Sequence, residues 1–418
     1  MIMSMMKSSN TEWLGDIPAE WDVAQIGNYY ELRNEKVSDY DFEPLSVTMK
    51  GIVPQLATAA KSDDHSNRKL VKKGDFVINS RSDRRGSCGI SPLDGSVSLI
   101  NIVMEPRGEM NPQYYNWLFH TERFADEFYK WGHGIVDDLW TTRWQEMKKI
   151  LIVAPSPDEQ QTIADYLDET CSKIDEIIAE AKASIDEYKN LREAVISNAT
   201  TRGIKKNRSM KSSGVEWLPE IPADWNVLSP KVVFTQRKDR AIKGERQLTA
   251  SQKHGIMYQD DYMKEEGVRI VTVEKDFSIL KHVEPDNFVI SMRSFQGGLE
   301  YSYLRGCISS AYVMLIPNHK YVYSEYYKWF FKSDKYINAL QSTSDLIRDG
   351  QALRYANFVK LKLFDIPIEE QKEIADYLNK KVPKIDSLIA EKESLINDLE
   401  AYKKSLIYEV VTGKRRVV

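Results

Sequence analysis

Two stretches of this chain carry the same apolar rhythm. After Gln160, apolar side chains fall at Leu167, Cys171, Ile174, Ile178, Ala181, Ile185, Tyr188 and Val195, in steps of three and four with a lapse at Arg192. After Gln371 the series is Leu378, Val382, Ile385, Ile389, Ile396, Leu399, Leu406 and Val410, with lapses at Lys392 and Lys403. This is a heptad seam, and it predicts two long helices, each ending near a glycine, Gly203 or Gly413. Pro383 suits a helix only in its first turn, so the second helix is expected to start after a break near Lys381. A helix with one apolar stripe and charged flanks must bury that stripe on a partner. The chain offers each of these helices only the other. The pattern therefore predicts an intramolecular, antiparallel coiled coil of about 30 to 35 residues per helix, roughly 45 to 53 Å long at about 1.5 Å per residue. From pattern alone, such rods serve equally as a structural spacer or a dimer handle.

Outside the rods the pattern is mixed. Short β-branched and aromatic runs, Phe76–Ile78 and Phe288–Ile290, read as strands that deliver Arg81 and Arg293 to the loops that follow. Aromatic amphipathic helices are expected over 111–130 and 323–340, and apolar runs over 148–157 and 359–368 then lead into the rods.

These features recur because the chain repeats itself. KSSNTEWLGDIPAEWDV from Lys7 returns as KSSGVEWLPEIPADWNV from Lys211, with Trp13/Trp217 and Trp21/Trp225 in register. EQQTIADYLDETCSKIDEIIAE from Glu159 returns as EQKEIADYLNKKVPKIDSLIAE from Glu370, at an offset of 211. Between these anchors the halves agree more loosely, as in PLSVTMKGIVPQ against QLTASQKHGIMYQ. The expected fold class is α/β (α+β): two similar globular domains, 1–155 and 206–366, separated by helical segments 156–205 and 367–418, with an internal pseudo-twofold repeat.

W-L-x-x-I-P-x-x-W opens each half. P-x-x-E-Q-x-x-I-A-x-Y-L opens each helix, with one more residue between Pro155 and its EQ than between Pro367 and its EQ. Over essentially its whole length the chain resembles the specificity subunit of type I restriction-modification enzymes. The resemblance implies that each variable part is a target-recognition domain reading one half of a split site on double-stranded DNA. It implies that the paired helices fix the spacing and dock two modification subunits, which bring S-adenosylmethionine and flip the target adenine. A restriction subunit, motor and nuclease, completes the complex, and this chain itself holds no cofactor and performs no catalysis.

Charge and composition adjust this picture only locally. The net charge of −4 averages unlike surfaces: 206–366 carries 24 basic and 19 acidic side chains, whereas 156–205 carries 6 and 11. The acidic first rod suits a protein partner better than DNA. No apolar run approaches the roughly 20 residues of a membrane span, and the Met-rich start lacks a signal-peptide core, so the cytoplasm is expected. Three scattered cysteines and six single histidines suggest neither disulfides nor a metal. NPQY at Asn111–Tyr114 resembles the loop with which amino-methyltransferases hold a flipped base, but its third residue is Gln113 and no glycine-rich loop precedes it. Asn111 and Pro112 read better as a helix cap and first-turn residue.

Base reading needs hydrogen-bonding side chains on loops. In the first half the candidates are Thr48 and Lys50; Arg81, Ser82, Arg84 and Arg85; and His133, Trp140, Thr142 and Arg143, with His65, Asn67 and Arg68 near a phosphate. In the second half they are Ser251, Gln252 and Lys253; Arg293, Ser294 and Gln296; and Arg348, Gln351 and Arg354. The tryptophan pairs read as clamps between each domain's start and its core. Two rival readings are a stand-alone adenine methyltransferase and a coiled-coil adaptor without a DNA role. Methyl transfer by the chain alone marks the first, and failure to bind DNA with partners present marks the second.

Overall fold

Pro157–Arg202 and Ile368–Val411 each form one uninterrupted α-helix in the computed structural model, which describes residues 5–58, 65–134, 140–273, 276–291, 294–343 and 353–417. The helices have 46 and 44 residues, roughly 69 and 66 Å at about 1.5 Å per residue, and so exceed the length expected from the seam. Part of the excess lies ahead of Leu167 and Leu378, where the E-Q motifs are already helical. In the first helix the rest follows Val195, up to Arg202; in the second, Pro383 sits exposed inside the helix and does not break it. Proline forfeits a backbone hydrogen bond and crowds the carbonyl four residues earlier. Leu378, Val382 and Ile385 are almost fully buried around it, and their packing carries the helix through. The glycine stops are as expected: Gly203 and Gly413 adopt left-handed φ values of 73° and 71°.

The chain divides into two compact units, Met1–Lys182 with Ser394–Val418, and Ala183–Glu393. Each unit contains the start of one long helix running antiparallel to the end of the other. Seam residues Leu167, Cys171, Ile174 and Ile178 are buried in the first unit, and Ile385, Val382 and Leu378 in the second. Near the end of the first helix the buried positions step from Val195 to Ile196 and Ala199. Two of the lapses take partners. Lys403 Nζ lies 2.6 Å from Asp175 Oδ2 in the first unit, and Arg192 Nε lies 2.7 Å from Asp386 Oδ1 in the second. At the offset of 211, Arg192 matches Lys403 and Asp175 matches Asp386, so one ion pair is made twice.

In the first unit an antiparallel sheet is ordered Cys88–Ile90, Phe76–Asn79, Asn101–Pro106, Tyr30–Leu32. Strand residues alternate between its faces. Phe76 packs with Tyr30 and with Phe119 of the aromatic helix, while Val77 and Val103 face Leu45, Ile52, Val71 and Val97. The second unit repeats the scheme on the order Phe234–Arg237, Val313–Pro317, Phe288–Ile290, Glu300–Tyr301. There Phe288 meets Phe234 and Phe331, while Val289 and Met314 face Leu248, Ile256, Val283 and Ile308.

Each expected aromatic helix is two helices, Pro112–Phe119 with Glu122–Lys130, and Ser324–Phe330 with Asp334–Ser342. Thr121 and Ser333 make the breaks by donating their hydroxyls to Leu118 O at 2.8 Å and Phe330 O at 2.7 Å. Asn111 caps as expected, accepting the Gln113 and Tyr114 amides, with Pro112 in the first turn.

The E-Q motif ties each domain to its helix. Trp21 Nε1 donates to Glu159 Oε2 at 2.8 Å, and Trp225 Nε1 to Glu370 Oε2 at 3.3 Å. Gln160 accepts the Asn111 amide and donates to Pro155 O; Gln371 accepts the Tyr323 amide and donates to Ile366 O, all at 2.8 Å. The far helix end is held too. Tyr114 donates to Val411 O at 2.7 Å and Tyr326 to Thr200 O at 2.6 Å. Because Gln371 is fully buried and also donates to Tyr321 O, Gln371→Leu takes this partner from one backbone amide and two carbonyls, and a loss of roughly 1–3 kcal/mol is expected in urea unfolding followed by circular dichroism. An unchanged midpoint contradicts this role.

Candidate nucleic-acid interface

In the first unit two loops far apart in sequence are drawn together. The strand Phe76–Asn79 leads to Arg81, whose amide donates to Asn79 Oδ1 at 3.0 Å. Arg81 bridges Thr141, Thr141 bridges His133, and the Thr142 amide donates to Ser80 O at 3.0 Å. This backbone stitching gathers Arg81, Arg84, Arg85, His133, Trp140 and Arg143. Their freedom differs. Arg84 is 67% exposed, with Asp83 3.6 Å away, and His133 and Arg143 are exposed. Arg85 is ion-paired to Asp126 and sits 5.4 Å from the Tyr129 ring centre. Trp140 braces the loop, donating Nε1 to Tyr129 O at 2.9 Å.

Thr142 corrects the expectation. It is buried, and its hydroxyl donates to Phe128 O at 2.7 Å, so it fixes the loop and does not present a polar group. Arg68 is corrected likewise: buried, it donates Nε to Ser96 Oγ at 2.8 Å, and desolvation lowers its pKa. Ser82 opens a single 3₁₀ turn over Ser82–Arg84, and its side chain lies outside the described residues. His65 is exposed 2.8 Å from Asp39, and Asn67 is half-buried.

Thr48 and Lys50 form the turn between Leu45–Thr48 and Gly51–Pro54. Thr48 donates to Gly51 O and accepts the Lys50 amide. Lys50 lines a groove of about 910 Å³ with Trp117, His120, Asp175 and Lys403, and the groove includes none of the Arg81 cluster.

In the second unit the matching hairpin is Leu248–Ser251 with Gly255–Tyr258. Ser251 Oγ accepts the Lys253 and His254 amides. Gln252 packs on Gly297, where a Cβ would come within 2.9 Å of Gln252 Nε2, so the ASQKHG and RSFQGG loops meet. Gln296 and Arg354 are exposed. Ser294 is a third correction of this kind: it is buried and its hydroxyl accepts the Ser291 amide at 2.8 Å. Arg293, Arg348 and Gln351 lie outside the described residues.

The residues that hold these side chains carry little signal in the sequence. Asn79, Asp126 and Tyr129 set Arg81 and Arg85, and nothing in local spacing marks them. Asp175 and Asp386 were detectable, because the repeat places them as one matched pair. Among the described residues no group of three His, Cys, Asp or Glu side chains is arranged to hold a metal, and no helix is long and apolar enough to cross a membrane. The cysteines are free and buried, and burial pushes the Cys88 thiol up to about 12.

A Cβ on Gly132 would overlap Trp140 Nε1. Gly132→Ala is therefore expected to eject the indole, with a shifted tryptophan emission and a stability loss of about 1–3 kcal/mol. Emission and stability like the parent's contradict the bracing role.

No protein-family model matches the chain. Curated relatives do match along its whole length. The MjaVIII type I restriction enzyme specificity subunit of Methanocaldococcus jannaschii is 22% identical over 458 aligned residues, covering 100% of this chain and 98% of that protein. A second protein of that archaeon, carrying the MjaX specificity-subunit name, is 21% identical, with coverage of 97% and 96%. Among solved structures, a chain from a study of assembly and conformational transition in the type I R-M system aligns with a TM-score of 0.71 at 13% identity, covering 96% of this chain and 99% of that one. The HsdS subunit from Thermoanaerobacter tengcongensis aligns with a TM-score of 0.57 at 14% identity, covering 96% and 98%. In its duplicated motifs, its two sheet-and-helix units and its alignment over the whole length, the chain is similar to specificity subunits of type I restriction enzymes.

Proposed function

We propose that this chain is the DNA sequence-reading subunit of a type I restriction-modification complex, with domains 1–155 and 206–366 each reading one half of a bipartite, asymmetric site. One observation carries the reading: a single scaffold is built twice, yet the two copies present different chemistry. The first offers Arg81, Arg84, His133 and Arg143; the second offers Gln252, Lys253, Gln296 and Arg354. Arginine pairs with guanine, and glutamine with adenine, in the major groove. Unlike loops on like frames therefore suit unlike half-sites.

The chain itself is a non-catalytic recognition subunit. Two modification subunits supply S-adenosylmethionine and the methyl transfer, and restriction subunits supply translocation and cleavage. The helical segments 156–205 and 367–418 set the spacing between half-sites and give the modification subunits a docking face. The acidic balance of the first helix supports a protein partner there.

The test is a paired charge reversal, Arg81→Glu with Arg84→Glu, in the chain assembled with its modification subunits. Methylated sites mapped across a genome are expected to lose base preference in one half of the motif only. Binding to the cognate duplex is expected to weaken by about 1–3 kcal/mol per lost bidentate contact. Equal relaxation of both halves contradicts independent reading heads.

A further inference from the structure

The hairpin turns of the two units are built alike but differ in charge. In both, a hydroxyl at the end of the first strand, Thr48 or Ser251, organises the turn that carries a lysine, Lys50 or Lys253. Among the described residues Lys50 makes no ion pair. Lys253 does. Beyond the second hairpin the chain enters a helix, Gln259–Glu266, that contains no buried residue and holds Asp260, Asp261, Glu265 and Glu266. Its first turn is tied to Arg246, 2.7 Å from Asp260 and 3.2 Å from Asp261, which also stacks 3.6 Å from the Tyr258 ring centre. Its last turn reaches the hairpin tip. Glu266 Oε1 lies 2.8 Å from both Lys253 Nζ and His254 Nε2, and Glu265 Oε1 lies 3.6 Å from His254 Nδ1.

Eight residues are too few for a helix to persist on propensity alone, and this one has no apolar face in a core. Its ion pairs and its connection to the hairpin hold it. The Lys253 and then the His254 hydrogen bonds keep the Glu266 carboxyl below its ordinary range, while Glu266 raises Lys253. Solvent-exposed pairs of this kind are weak and screened by salt, as a displaceable contact must be.

We propose that Gln259–Glu266 is an electrostatic latch on the second recognition domain, in which Glu265 and Glu266 occupy the cations that DNA phosphates take when the domain closes on its half-site. The inference rests on the reading of this hairpin as DNA-facing. Phosphate must displace Glu266 before it gains Lys253 and His254, so the latch lowers affinity and makes it less steeply dependent on salt. Exchange disturbs no packed core, because the helix contributes no buried side chain.

The experiment uses the chain assembled with its modification subunits, and fluorescence anisotropy on the duplex that the complex methylates, across a potassium chloride series. Glu265→Gln with Glu266→Gln is expected to tighten binding about three- to tenfold at the lowest salt and to steepen the log–log salt slope by about one. Lys253→Ala is expected to weaken binding more in that variant than in the parent. Unchanged or weaker binding by the Gln variant, with Lys253→Ala still harmful in the parent, overturns the latch and leaves the DNA-facing hairpin standing. Lys253→Ala without effect in either background overturns both.

Discussion

Two helices from one duplicated sequence can pair parallel or antiparallel, and their charges choose between the two. In a parallel, in-register pair, equivalent residues face each other, which would set Arg192 against Lys403 and Asp175 against Asp386. Run antiparallel, each cation meets an aspartate instead, at 2.6 Å in one unit and 2.7 Å in the other. Exposed pairs contribute little energy each, about 0.2–1 kcal/mol. Their value lies in orientation, since the apolar seam would accept either direction and the charges do not. Each unit then contains the start of one helix and the end of the other. The E-Q motif of one repeat and the terminal glycine of the other are thereby assembled beside one tryptophan: Glu159, Gly413 and Trp21 in the first unit, Glu370, Gly203 and Trp225 in the second. Duplication thus yields two equivalent seats for two unlike domains.

Within each seat the division of labour follows burial. Thr142 and Ser294 sit in the candidate reading loops, yet their hydroxyls are spent on Phe128 O and the Ser291 amide, and they hold the loops in shape. Their exposed neighbours Arg143 and Gln296 carry no such duty and are free to differ between recognition domains. A frame whose hydrogen bonds are internally satisfied tolerates change at its rim.

The sequence revealed the features that rest on period and repetition. The seams, the glycine stops, the Asn111 cap, the strand ahead of Arg81 and the tryptophan clamps all follow from local pattern or from comparing one half with the other. What stayed hidden depends on neighbours distant in sequence. Pro383 reads as a helix break because its local cost is known, whereas the packing of Leu378, Val382 and Ile385 that offsets this cost is tertiary. Thr142 and Arg143 are adjacent and equally polar in sequence; only the approach of Phe128 O separates them. Likewise the pairing of Arg85 with Asp126, and of Gln252 with Gly297, joins segments that no spacing rule connects.

Two unlike reading heads on one chain should define a split DNA target. The most direct measurement is to express the whole chain with its modification subunits in a host lacking other adenine methylation, and to map methylated adenines by single-molecule sequencing. One asymmetric motif with two specified parts around an unspecified spacer is expected. A continuous motif, a palindrome, or no methylation from a complex that assembles would contradict it.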